Sequence, residues 1–174
     1  MEALPLKQTP KTLFRRRAQA QRDEVEHAIL AAGLSSRFAG APVELAPADT
    51  AWRAPVGGRE GLRRLAIESW LDGCLEEGMA AQAAVEQASG AQDVSVRAAL
   101  QQIAEDETQH AELAWDVLTW ALGKGGTDVA DAIRAARQSS NRSAFEDHNG
   151  EIAFWQLDTL NQANERLDRL LARA

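Results

Sequence analysis

Apolar positions between residues 12 and 122 recur in steps of three and four, the spacing of one face of an α-helix. Over about Val94 to Leu122 the stripe reads Val96, Leu100, Ile103, Glu107, His110, Ala114, Val117, Ala121, so a polar pair interrupts it at its middle. Over about Gly61 to Ser89 it reads Ile67, Trp70, Cys74, Glu77, Ala81, Ala84, with Glu77 the one intruder. Over about Thr12 to Ala39 it reads Leu13, Arg17, Ala20, Glu24, His27, Ala31, Leu34, Phe38. A Glu and a His again stand together mid-stripe, and Arg17 weakens the start.

Helix breakers divide the chain. All five prolines lie at or before Pro55, and the remainder is rich in Ala, Leu, Glu, Gln and Arg, which predicts an all-α fold in one domain over 1–174. After an irregular stretch, 1–11, the first helix spans 12–39 and stops at Gly40 and Pro42. Residues 40–60 hold three prolines and Gly57-Gly58 and read as a long connection. Fully extended, it reaches about 65 Å, more than the ~42 Å of a 28-residue helix, so a crossover along a whole bundle fits. A helical hairpin follows over 61–122, turning at Gly90, with Asp93 capping its second arm. The Gly-Lys-Gly-Gly of 123–126 predicts a break. A short helix over 127–138, with Asp128 and Asp131 in its first turn, a Ser-Ser-Asn-Arg-Ser linker and a last helix over 144–171 complete the chain.

A carboxylate in a helical core costs several kcal/mol unless it is paired or bound to metal. Glu24, His27, Glu77, Glu107 and His110 share one register, and two Glu-x-x-His pairs with a lone Glu on a facing helix match the donors of a dinuclear metal site in a four-helix bundle. Each piece has a bland counterpart: a surface i,i+3 pair, a core His bonded to a carbonyl, or a stripe-edge Glu reaching water, as Glu76 should. Their coincidence at one level favours metal. Carboxylate and imidazole donors suit iron or manganese, and one cysteine excludes a thiolate cluster.

The two pairs belong to an internal repeat. Asp23-Glu24-Val25-Glu26-His27-Ala28 matches Asp106-Glu107-Thr108-Gln109-His110-Ala111 at an offset of 83, which also places Gly40 on Gly123. Glu77 precedes its pair by 30 residues, and the equivalent position in the first copy falls before Met1.

These motifs resemble the ferritin-like, or rubrerythrin-like, di-iron carboxylate superfamily, and within it bacterial ferritin-like proteins of uncharacterised function. The resemblance rests on DEVEHA at 23–28, FAGAPV at 38–43, Gly73-Cys74-Leu75-Glu76-Glu77 and DETQHAELAW at 106–115, and covers about residues 9–137. It implies a ferritin-like bundle with a long crossover, three long helices matching helices B, C and D, plus the short helix and an extra C-terminal helix. It further implies bridging carboxylates at Glu24 and Glu107, terminal ligands at His27 and His110, a terminal carboxylate at Glu77, and two iron ions, or manganese, if the site is complete. Helix A and its ligand have no counterpart. Three carboxylates give −3 against +4 for two divalent metals, and a missing wall should expose apolar surface, which predicts a homodimer. Phe145, His148, Ile152 and Trp155 form a stripe on the last helix that should cover the open face.

Charge and composition narrow the rest. Nineteen Lys and Arg against 26 Asp and Glu give −7, which disfavours a nucleic-acid partner. No apolar stretch approaches the roughly 20 residues of a membrane span, and MEALPLKQTPKTLFRRR lacks the pattern of a cleaved signal, so a cytoplasmic protein is expected. The functional expectation is oxidase or peroxide chemistry at a dinuclear site, on a substrate the sequence does not identify. The alternatives are metal binding without turnover, or a helical assembly module in which Glu24 and His27 form an inert buried pair.

Overall fold

The computed structural model describes residues 11–46, 56–146 and 154–174, with the side chains of 139–146 and 154 left aside. The described residues are mostly helical, and they contain no strand and no helix long and apolar enough to cross a membrane. Helix α1 spans Lys11–Ala39. Helix α2 (Gly58–Glu68), a π-helical segment (Ser69–Glu77) and α3 (Gly78–Gly90) follow one another without a break, because Ser69 and Gly78 both keep helical φ/ψ. Helix α4 covers Val94–Glu146 and α5 Phe154–Leu171.

The first helix and the hairpin lie where the hydrophobic spacing puts them. Asp93 caps α4 as expected, its Oδ1 accepting from the backbone N–H groups of Ser95 (2.8 Å) and Val96 (3.2 Å). Hydrogen bonds from Arg37 and from these amides hold its carboxyl down to about 2.

Beyond residue 122 the expected break is present: the backbone leaves helical geometry at Gly126 (φ 53°, ψ −137°), the last of the four residues 123–126, and a second helical stretch follows it. What needs correction is the end of that stretch, which does not stop at 138 but runs through the expected linker 139–143 to Glu146. Glycine in a helix costs about 1 kcal/mol per residue, which packing offsets here. A Cβ on Gly125 would lie 2.1 Å from a Val129 methyl and 3.0 Å from a Leu62 methyl, so its bareness lets α2 close on the bend. Arg63 on α2 pairs with Asp128 just beyond it. Ser139 to Ser143 contain neither Gly nor Pro, and nothing there stops the helix. Residues 144–146 therefore belong to α4, while His148 and Ile152 of the expected stripe lie outside the described residues.

The main core joins α2 and the π-helical segment (Leu62, Ala66, Trp70, Cys74) to α4 (Trp115, Leu118, Leu122, Val129, Ile133) and α5 (Ala163, Leu167, Leu171). Trp70 meets Trp115 edge-on at 5.8 Å, and Arg166 of α5 lies over the Trp115 ring at 4.4 Å while pairing with Glu112. No α1 residue belongs to this core. Helix α1 runs antiparallel to α4, tied by Arg16–Asp116, His27–Asp106 and Arg37–Asp93, and only Leu13 and His27 on it are buried.

Gly73, in the π-helical segment, sets the closest approach of the hairpin arms: a Cβ there would lie 2.3 Å from the Ala114 Cβ. Gly73→Ala should lower stability by about 1–2 kcal/mol, because overpacking costs about 1–3 kcal/mol against ~1 kcal/mol gained in helix propensity. Gly123→Ala, with nothing within 4 Å, should instead gain up to about 1 kcal/mol. Urea denaturation midpoints check both, and equal shifts for the two variants would contradict the packing.

Candidate metal centre

Three helical stretches deliver the five expected residues to one level. Glu24 and His27 come from α1, Glu77 from the last position of the π-helical segment, and Glu107 and His110 from α4. One donor atom each from Glu24, Glu77, Glu107 and His110 lie within 4.8 Å of one another. The convergence of Glu24 on Glu107, across 83 residues of sequence, is thereby met.

His27 stands beside this foursome rather than in it. Its Nδ1 is 3.3 Å from Glu107 Oε1, and its ring centroid is 6.2 Å from that of His110. Glu107 thus lies between two imidazoles, since its other oxygen is 3.2 Å from His110 Nδ1. The inert pairing of Glu24 with His27 is not formed. Glu24 Oε1 faces His110 Nδ1 at 3.3 Å, while His27 faces Asp106 and Glu107.

Asp23 and Asp106 complete a reciprocal arrangement that the sequence reading quoted within its motifs without assigning. His110 Nε2 lies 3.1 Å from Asp23 Oδ2 on α1, and His27 Nε2 lies 3.0 Å from Asp106 Oδ2 on α4. Each copy of the repeat therefore uses its Asp to hold the other copy's His. With the Nε2 proton donated to aspartate, the Nδ1 lone pair of each ring points toward Glu107, the orientation a metal-ligating imidazole needs. Desolvation opposes ionisation of Asp23, but hydrogen bonds from His110 and Gln19 prevail and hold its carboxyl below the usual range. The signal for this pair was present in the sequence: the residue before Glu is Asp in both copies.

Burial is graded across the cluster. Glu107 and His110 are each 7% exposed and Glu77 is half-buried, whereas the Glu24 side chain is 55% exposed. Glu24 faces a groove of about 490 Å³ between α1 and α2, floored by α4 and lined by Leu13, Phe14, Leu65, Val117 and Trp120, with Glu77 and His110 also on its wall. Glu76 is exposed, as expected of a solvated neighbour. The Cys74 thiol is buried, and desolvation raises its pKa, which fits a packing role.

Among known proteins, no family model, no curated protein and no solved structure matches the chain.

The crowding of carboxylates has a measurable consequence. The Glu77 carboxyl is pushed up to about 8, by burial first, then by its hydrogen bond to Glu107 and the charges of Glu107, Glu24 and Glu76. Its folded-state pKa lies above the unfolded value near 4.3, so the stability it contributes is complete at pH 4 and is lost as pH rises through about 8. The melting temperature of metal-free protein should therefore fall between pH 5 and pH 8.5, and Glu77→Gln should flatten the decline. An unchanged slope in Glu77→Gln would show that another group controls it.

Proposed function

We propose that the chain is a ferritin-like metal-binding protein with a dinuclear iron or manganese carboxylate site formed by Glu24, His27, Glu77, Glu107 and His110. The observation that carries this reading is the convergence of three carboxylates and an imidazole from three separate helical stretches, with a second imidazole on Glu107. Three carboxylates so close together repel one another strongly at low dielectric, and a divalent cation is what relieves that repulsion. Oxygen and nitrogen donors without thiolate suit iron and manganese. The helix order, with α1 and the α2–α3 rod both antiparallel to α4, accords with the ferritin-like arrangement and its long crossover.

The reciprocal aspartates change the charge balance. Glu24, Glu77 and Glu107 alone supply −3, but Asp23 and Asp106 sit directly behind the imidazoles and bring the immediate charge to −5. Two divalent ions, +4, are electrostatically supported without a further carboxylate. Buried Glu107, flanked by both imidazoles, and exposed Glu24 would hold the metal together with Glu77, His27 and His110. When bound, such metals supply reduction of dioxygen or peroxide. The groove beside Glu24, on whose wall Glu77 and His110 also lie, gives small molecules access to the cluster.

Anaerobic ferrous titration, followed by absorbance after air exposure, tests the reading. About two ions per chain and a rise in melting temperature are expected. Glu107→Ala should abolish binding, and Asp23→Asn or Asp106→Asn should weaken it by about 10–100-fold. Saturation at one ion would establish a single-metal binding protein, and an unaltered melting temperature would refute the metal centre altogether.

A further inference from the structure

The groove beside Glu24 changes character along its length. Helix α1 and the α2 rod with its π-helical continuation run parallel on its two sides, since both are antiparallel to α4. At the inner end Glu24 meets Glu77, with donor atoms within 4.8 Å of each other. Counting back along both helices from that meeting, Arg17 on α1 comes opposite Ser69 and Asp72 on the facing wall. The outer end is apolar, walled by Leu13, Phe14, Leu65, Val117 and Trp120.

Ser69, Arg17 and Asp72 lack a protein partner in this middle stretch. Ser69 is only 9% exposed, yet its hydroxyl makes no hydrogen bond to a described residue. A buried hydroxyl costs free energy unless some group bonds it. Arg17 and Asp72 are exposed, and neither forms an ion pair with a described residue. Glu68, also on this part of the wall, is already held by Arg64 at 2.7 Å. One unpaired cation, one unpaired anion and one buried hydroxyl therefore border the same stretch of groove.

We propose that the groove binds an apolar or aromatic α-amino acid as its zwitterion, with the carboxylate on Arg17 and the Ser69 hydroxyl, the ammonium on Asp72, and the side chain against the apolar outer wall. Charge complementarity selects this class. An acid without an ammonium would leave Asp72 unpaired and face the carboxylates of the inner end, and an amine without a carboxylate would leave Arg17 unpaired. The forked donors of a guanidinium match the two oxygens of a carboxylate, and Phe14 and Trp120 offer aromatic faces to a ring. The volume of about 490 Å³ falls within the ~300–1,000 Å³ of small-molecule sites. Arg17 precedes Glu24 by seven residues, about 10 Å of helix, so the amino group turns toward the cluster from within the same groove. That the amino acid is the molecule presented to a metal rests on the function proposed above, whereas its binding does not.

Calorimetric titration of the full chain with L-phenylalanine, L-leucine and L-tryptophan, in chelator so that the outcome is independent of the metal reading, tests the proposal. At least one should bind saturably, one per chain. For L-phenylalanine, the analogues hydrocinnamate and phenethylamine, each lacking one charge, should bind about tenfold more weakly or worse. Arg17→Gln should remove the preference over phenethylamine and Asp72→Asn the preference over hydrocinnamate, a pattern that a merely structural role would not produce. Arg15→Gln, at an exposed position outside the groove, should change neither. No binding of any of the three amino acids at millimolar concentration overturns the proposal. An analogue that binds as tightly as its amino acid, or preferences that survive both substitutions, overturns it equally. Amino-acid binding without ferrous binding would remove the metal centre and keep the groove site, and ferrous binding without amino-acid binding would do the reverse.

Discussion

Mutual repulsion among Glu24, Glu77 and Glu107 is the constraint on which the arrangement turns. Helices α2 to α5 cohere through an apolar core built on Trp70, Trp115, Leu118, Ile133 and Leu167. Helix α1 adds buried Leu13 and is otherwise tied by polar contacts: two surface arginine pairs at its ends and, at its centre, the histidine–aspartate exchange around the carboxylates. The crowded carboxylate cluster thus lies where the helix is attached. A divalent cation held there would offset that repulsion, so metal binding and the docking of α1 would be coupled.

The reciprocal aspartates make the cluster directional. An imidazole with its Nε2 proton engaged by a fixed carboxylate presents Nδ1 as a lone pair, and each aspartate comes from the helix opposite its histidine. Neither Glu-x-x-His pair is therefore oriented until both helices are in place. The π-helical segment contributes in a different way. Its nine residues end at Glu77, and Gly73 within it admits Ala114, so the same irregularity that brings the hairpin arms together fixes the level at which Glu77 faces Glu107.

Much of this was legible in the sequence, for identifiable reasons. Heptad-like spacing located α1 and the hairpin because their polar intruders were few and confined to one level, and proline punctuation bounded them. The same periodicity brought Glu24, Glu77, Glu107 and His110 to one face, and the structure converges them. The role of Asp23 and Asp106 stayed hidden because side chains one residue before a stripe point to its edge, and only the opposing helix shows what they reach. The break in Gly-Lys-Gly-Gly was legible and falls at Gly126, while the end of the helix beyond it was not, because Ser139 to Ser143 read as a linker by composition yet contain no Gly or Pro to stop a helix.

Crystals grown with manganese or ferrous iron, with diffraction recorded on both sides of the metal absorption edge, test the proposed cation site where these side chains converge. Anomalous density is expected at bonding distance from Glu24, Glu77, Glu107 and His110, extending toward His27 when two ions are bound. Density elsewhere, or none with the carboxylates still gathered, would contradict it.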